Sequence, residues 1–455
     1  MSSEFKDYDG LVPVPSHDRH YSFRDMSATW ICANANPTSW YVGCVIGALG
    51  MAGAFWAALI GNPVTYFFLA LVGLIGFLVG TSTMALTRVS FGIRGSKLPS
   101  LFNAMQFFGW CGVNTYIAAN SLRYLLNWSL GLPLSDFTLG LSAVIIMGIT
   151  GGIAIWGGSR AIKVAENVAS VGLMGLSVWI AIVVLKNFSL ADILAWKPAE
   201  EVRISFGSAI DAIAALGIAW IMAVADYTRY TKSRKAATIA PMVGATVGMF
   251  WFCLVGSLSV IAVAVSTGVF DPYTADPATI CESLGMGNVA HVLIIIATIA
   301  VNLINVFSSG FSTANVSDRL TPRTSMAIVT VLSVAVALTP LFFGSFLDMF
   351  QVFLGYLGAV FPPCIAIILV DFYIHRRRRY QADQLAVVDG PYWYSNGISW
   401  YGIGSWLAGV AAYFISARFP SITDTIGSVF FCLMASGLCY YICGVVFKGR
   451  MIKEA

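Results

Sequence analysis

Charge is scarce in this sequence. Asp, Glu, Lys and Arg make up 11% of its 455 residues, against about 25% in an ordinary soluble domain. A soluble globule of this length covers its surface with charge, and lipid is the solvent that removes the need. The net charge is only +4, which implies no nucleic-acid partner. Histidine is scarcer still. His17, His20, His291 and His375 are scattered, so no central acid–base or metal constellation forms. That argues against an enzyme, and no cofactor is expected. The nine cysteines form no metal-type CxxC pair, and small buried hydrophobes are their expected role. Residues 1–28 hold no apolar run, so no cleavable signal peptide is expected.

Apolar residues are what the chain has in plenty, at 58%. A spanning helix needs about 20 of them in a row. Twelve such stretches can be read: 29–56, 64–86, 101–126, 137–156, 161–185, 208–227, 240–265, 290–312, 327–343, 346–374, 400–416 and 425–447. The chain is therefore read as an all-α polytopic membrane protein with twelve transmembrane helices. One transporter domain, 29–447, lies between an N-terminal tail, 1–28, and a C-terminal tail, 448–455.

Lysine and arginine orient it. With both tails cytoplasmic, only Arg123, Lys186, Lys197, Arg203 and Arg418 fall on the outer side. The plasma (inner) membrane is the expected location. The run Arg376–Arg379 after helix 10 reads as a topological anchor, with lipid headgroup contact as a second role. Gly76 and Gly80, four apart in helix 2, allow close helix packing.

Function in a membrane protein shows in what stays polar at the midplane. Helix 1 opens with Trp30-Ile-Cys32-Ala-Asn34-Ala-Asn36-Pro37-Thr38-Ser39. Proline in a helix interior removes a hydrogen bond, and interrupted helices mark transporter sites. Helix 3 carries Trp110 and Asn114 on one face. A central tryptophan one turn from an amide suits a flat, hydrogen-bonding ring. Helix 6 places Gly217 and Trp220 centrally, with Asp226 near its inner end and Arg229 three residues on, spaced for a local ion pair. Helix 8 holds Asn302 and Asn305 three apart, and each amide offers donors and an acceptor.

These places fall in helices 1, 3, 6 and 8. Helices 1 and 6 are five apart, as are 3 and 8. A five-plus-five inverted repeat would put a site at the repeat interface. The repeats would be 29–185 and 206–374, with 400–447 as two additional helices.

At these residues the chain resembles the nucleobase:cation symporter-1 family. The most specific pieces are Ser90-Phe-Gly-Ile-Arg-Gly95, the Trp110/Asn114 pair and Ala225-Asp-Tyr-Thr-Arg-Tyr230. Asn302-Leu-Ile-Asn305, Pro362-Pro363 followed by Asp371-Phe-Tyr, and Asp389-Gly-Pro-Tyr-Trp-Tyr394 add to it. The resemblance implies the LeuT-type fold and import of a nucleobase by cation symport. It implies that Trp110 stacks on the substrate ring, and that Asn114 and Asn302 or Asn305 bond its edge. Trp220 and the Gly217 backbone would complete the pocket, with Cys32 and Asn34 where helix 1 contributes.

Within the family, Ala225–Tyr230 is similar to cytosine, purine and hydroxymethylpyrimidine permeases. Uracil, allantoin and hydantoin remain alternative cargoes, and an amino-acid transporter of the same fold is a more distant one. Sodium-coupled relatives usually place two hydroxyls on helix 8 just before the position of Asn302. Here those positions are Ala300 and Val301, so a proton is favoured over sodium. Glu166, Asp211 and Asp226 are the candidate carriers, since burial raises a carboxyl pKa toward the working range.

Overall fold

The computed structural model describes residues 11–270, 276–316 and 321–447, with backbone alone at 157–171, 307, 310–311, 313–315, 322 and 347. Lipid offers backbone groups no hydrogen-bond partner, so a spanning chain must satisfy them internally. The described residues accordingly form helices, and extended pairing is limited to the isolated bridges Tyr21–Thr231 and Ser395–Ile398.

In chain order the helices are α1 (Phe23–Asn34), α2 (Pro37–Ile46), α3 (Gly50–Val79), α4 (Thr83–Phe91), α5 (Lys97–Leu130) and α6 (Asp136–Asn187). Then come α7 (Leu190–Ala195), α8 (Phe206–Ile221), α9 (Val224–Thr228), α10 (Arg234–Ala237), α11 (Ile239–Thr267) and α12 (Pro277–Ser283). The last group is α13 (Gly287–Val316), α14 (Pro322–Leu338), α15 (Pro340–Phe343), α16 (Phe346–Leu369), α17 (Trp400–Ser416), α18 (Pro420–Thr423) and α19 (Gly427–Val446). Among the described residues seven helical segments are long and apolar enough to cross a membrane by length and composition. The span read at 101–126 is not one of them. Its asparagines and Gln106 dilute it, and these same residues prove to matter.

Three boundaries differ from the sequence reading. The first turn lies at Gly50, whose φ of +75° only glycine adopts freely, and not at Gly61-Asn62-Pro63. Those three sit inside α3, where Asn62 Nδ2 donates to the Ala58 carbonyl at 2.8 Å and Thr65 Oγ1 to that of Gly61 at 2.7 Å. Helix 2 ends at Val79 because Gly80 takes a left-handed φ of +81° and caps it. Gly80 is thus a terminator and not a packing position. Gly76 is the packing position: a Cβ there would lie 2.5 Å from Thr228 Oγ1. Finally, the spans read at 137–156 and 161–185 lie on one uninterrupted 52-residue helix, α6. Its Gly157-Gly158 pair costs only about 1 kcal/mol per residue relative to alanine, which does not break a helix. The two ends of α6 meet different partners. Gly151 abuts Thr330 of α14, and Ser177 accepts from Trp251 Nε1 of α11 at 2.8 Å.

Two groups of helices form the centre. α5, α6, α13 and α14 pack together, and α1, α2, α3, α8 and α11 form the second group. α16, α17 and α19 close one side.

At one end of the bundle three of the singled-out motifs meet. Asp371 is buried and accepts from Arg376 Nε at 3.2 Å, Tyr380 at 2.7 Å and Tyr440 at 2.9 Å. Arg376 also donates to Tyr394, whose hydroxyl reaches the Val89 carbonyl at 2.5 Å. Ser399 N donates to the Phe91 carbonyl at 2.8 Å, and Arg94 N to that of Gly397 at 2.7 Å. The segment 376–399 is therefore a strap across α4 and the start of α5. Arg376 is a buried ion-pair member and not a lipid-facing anchor, since its side chain is only 8% exposed. Arg377, Arg378 and Arg379 remain exposed.

Asp211 has a comparable structural part. Its carboxylate accepts from Ser428 N at 2.7 Å and Val429 N at 2.9 Å, capping α19. Asp211→Ala should lower the stability of the detergent-purified protein by about 0.5–2 kcal/mol, the cost of a lost cap, and leave ligand affinity unchanged. Thermal unfolding followed with and without ligand reads both. An unaltered melting temperature would contradict the capping role.

Candidate functional site

Asn36 builds one wall of the site by closing a break. α1 ends at Asn34 and α2 begins at Pro37. Proline suits this first helical position, because it has no N–H to leave unpaired. Asn36 is the N-cap. Its Oδ1 accepts from Ser39 N at 2.9 Å and Thr38 Oγ1 at 2.5 Å, while Nδ2 donates to the Ala33 carbonyl at 2.7 Å. One amide thus serves the end of one half-helix and the start of the next.

A second break separates α8 from α9 at Met222–Ala223. It is held from α4: Ala225 N donates to Thr83 Oγ1 at 3.0 Å, and Thr83 N to Asp226 Oδ1 at 2.9 Å.

Between the two groups of helices lies a small cavity. Asn36 and Thr38 line it beside the first break. Gln106, Phe107, Trp110 and Asn114 line it from α5, and Leu216, Ala219 and Trp220 from α8. Val301 and Asn305 of α13 complete it. Gln106, Trp110 and Asn114 follow at spacings of four, the repeat that puts side chains on one face. Trp110 is braced by Phe353, with ring centroids 4.9 Å apart and planes at 78°. Trp220 is braced by Trp30, at 6.0 Å and 84°.

Four of the residues singled out from sequence therefore meet at one cavity: Trp110, Asn114, Trp220 and Asn305. The others lie elsewhere. Asn302 sits behind Asn114, fully buried, with its amide bonded to α5. Gly217 faces α3, where a Cβ would lie 2.6 Å from Thr65. Asn34 ties α1 to α3, donating to the Trp30 carbonyl at 3.1 Å and accepting from the Tyr66 hydroxyl. Cys32 is half-buried in α1 and does not line the cavity. Asp211 caps α19, and Asp226 holds α4. The contact described between Asp226 and Arg229 runs from Arg229 Nε to the Asp226 backbone carbonyl, at 3.3 Å, and not to its carboxylate. Glu166 lies outside the residues with described side chains. Sequence reasoning missed Gln106, although its four-residue spacing to Trp110 was the available signal. The break read at Asn36-Pro37 is present, with Pro37 at the first helical position and Asn36 as its cap.

Two polar atoms on the cavity residues have no partner: Gln106 Oε1 and Asn114 Oδ1, both buried. Their identity as oxygens follows from their neighbours. Gln106 Nε2 donates to Asn103 Oδ1 at 2.5 Å and to the Ala219 carbonyl at 3.2 Å. A carbonyl carries no proton, so the nitrogen must face it and the oxygen must face away. The residues that line the cavity therefore hold two buried acceptors without donors, beside indole rings. A buried acceptor without a donor costs about 1–3 kcal/mol, and a ligand N–H removes that cost. Among the described residues no cluster of His, Cys, Asp and Glu could hold a metal ion.

Comparison with known proteins follows this geometry. A family profile described as permease for cytosine/purines, uracil, thiamine, allantoin matches residues 13–444. The putative purine-cytosine permease YxlA of Bacillus subtilis is 25% identical over 85% of this chain and 83% of its own. The purine-uracil permease NCS1 of Arabidopsis thaliana is 26% identical over 95% and 77%. Among solved structures, the nucleobase-cation-symport-1 family transporter Mhp1, closed with bromovinylhydantoin bound, superposes with a TM-score of 0.79. It is 19% identical, covering 99% of this chain and 98% of its own, and the two share a fold.

The Asn34–Tyr66 bond gives a stability test of the site's frame. Both side chains are fully buried. Asn34→Leu should destabilise the protein by about 1–3 kcal/mol, because it leaves the Tyr66 hydroxyl unpaired. Adding Tyr66→Phe should recover part of that loss in thermal unfolding. A double variant as unstable as the sum of the singles would show that the bond contributes nothing.

Proposed function

The chain belongs to the family of permeases for cytosine/purines, uracil, thiamine and allantoin, and from that we propose that its cargo is a nucleobase bearing N–H donors. Its relatives are permeases and not enzymes, and it is a multi-pass membrane protein. The observation that carries the reading is the pair of unpartnered acceptors, Gln106 Oε1 and Asn114 Oδ1, beside Trp110 and Trp220. A flat ring stacks on an indole, and its edge donates to the two oxygens. Amino-bearing rings, cytosine and the aminopurines, match two acceptors best. Uracil, allantoin, hydantoin or hydroxymethylpyrimidine is the second reading, since each also carries donors. Asn305 and Thr38 remain for the far edge.

Transport proceeds by alternating access. Breaks at 35–36 and 222–223 flank the cavity, as expected of helices 1 and 6 in a five-plus-five inverted repeat. The basic end of the bundle, with both tails, is cytoplasmic by the bias of lysine and arginine, and the protein sits in the plasma (inner) membrane.

The coupling ion in this reading is a proton. Sodium needs several oxygens, yet Ala300 and Val301 bring none, and Val301 lines the cavity with an apolar side chain. Asp211 and Asp226 accept backbone N–H bonds that fix their position. Glu166, Asp211 and Asp226 are the candidate carriers.

Stacking on an aromatic side chain contributes about 1–3 kcal/mol per base. Trp110→Ala should weaken binding roughly ten- to a hundredfold, and Trp110→Phe less. Equal affinity of wild type and a well-folded alanine variant in equilibrium binding would sink the stacking role. For coupling, uptake of labelled base into proteoliposomes should follow an imposed pH gradient, acid on the outside, with no requirement for sodium. Uptake that needs sodium and ignores the pH gradient would refute proton symport.

A further inference from the structure

We infer that Asn302 is a positioning residue that sets, through Asn114, the hydrogen-bonding polarity of the cavity without touching the cargo. The inference rests on the nucleobase reading above and adds a residue outside the cavity wall. An amide side chain has two ends of nearly equal size, one accepting and one donating. Packing alone hardly distinguishes them, so the neighbours must choose which end Asn114 turns to a ligand.

The choice can be followed atom by atom. The Cys111 carbonyl has no proton to give. Asn302 must therefore turn its Nδ2 to it, at 3.2 Å, and the same nitrogen lies 3.0 Å from Thr115 Oγ1 and 3.7 Å from Met147 Sδ. Asn302 Oδ1 is then left facing Asn114, 3.2 Å from its Nδ2. That bond turns the nitrogen toward Asn302 and leaves Asn114 Oδ1 as the amide atom that is buried without a partner. One main-chain carbonyl of α5 thus fixes, through two amides in series, an acceptor on the cavity wall. Asn302 and Thr115 are both fully buried, so water does not compete for these bonds.

Gln106 supplies an internal control. Its oxygen is fixed separately, by Asn103 and the Ala219 carbonyl, and none of those atoms contacts Asn302. Removing Asn302 frees one of the two acceptors to rotate and leaves the other in place. A rotated Asn114 offers N–H where it offered oxygen. The cavity would then tolerate a ring oxygen at a position that had selected an amine.

The test is the ratio of affinities for a 4-amino and a 4-oxo pyrimidine, cytosine and uracil, measured by equilibrium binding to the full chain in nanodiscs. Wild type should prefer cytosine. Asn302→Ala should shrink that preference roughly fivefold or more, an effect the size of one hydrogen bond, mainly by gaining affinity for uracil. Asn302→Asp should restore the preference. A carboxyl group buried there is held neutral, so it can donate to the Cys111 carbonyl and accept from Asn114. Asn302→Leu, close to asparagine in volume, replaces the alanine variant if that variant does not fold. Once Asn114 is changed to alanine, a further Asn302→Ala should leave the ratio unaltered. A merely structural Asn302 would weaken both ligands equally and leave the ratio intact in every variant, and that result overturns the inference. Wild type that binds neither pyrimidine counts against the cargo reading instead. The same variants are then compared on adenine and hypoxanthine, where an unchanged ratio again overturns the positioning role.

Discussion

Asn36 answers the hardest demand that lipid makes on this chain. A helix interrupted at membrane depth exposes carbonyls on one side of the break and N–H groups on the other, and no water is there to take them. Asn36 bonds the Ala33 carbonyl with one end of its amide and Ser39 N with the other. The second break is served from outside its own helix, through Thr83 and Asp226. Where the breaks are satisfied, irregular backbone can line a cavity instead of collapsing into a straight helix. The cavity and the indoles around it depend on this.

The same logic of paired amides extends inward. Asn302 and Gln106 are each oriented by a main-chain carbonyl, Cys111 and Ala219 respectively. Rigid α-helical backbone thereby dictates side-chain polarity two bonds away. The result is an apolar, aromatic cavity with acceptors placed at fixed points, the combination that discriminates best between ligands. A site built around a hydrogen bond rejects an analogue lacking it more strongly than an apolar pocket rejects a change of shape.

Much of this was legible in sequence, for reasons that differ by residue. Spans announce themselves because length and hydropathy are local properties, and Trp110, Asn114, Trp220 and Asn305 stood out because polar or aromatic residues at mid-membrane are costly unless used. The direction of a helical side chain was less legible. Asn302 and Asn305 are equivalent on paper, yet one faces α5 and the other the cavity. Helix rotation is set by packing across the bundle, which no spacing rule encodes. Turn positions failed for a related reason. Gly61-Asn62-Pro63 has the composition of a turn, but Asn62 and Thr65 return their hydrogen bonds to the helix, and Gly50 turns the chain instead. Glycines carried no single meaning: Gly76 permits contact, Gly80 ends a helix and Gly157-Gly158 continues one.

The strap of residues 376–399 has a consequence for how the protein is made. Tyr394 bonds the carbonyl of a residue 305 positions earlier, Val89. During synthesis α4 enters the membrane long before its strap exists. Water at the bilayer surface must hold those carbonyls while the ribosome completes the intervening helices. The joint that steadies the cavity's main wall is thus among the last to close, and a nascent chain released before the strap is complete can insert most of its helices and still lack it. Such a product would leave the Val89 and Phe91 carbonyls without their partners, the Tyr394 hydroxyl and Ser399 N.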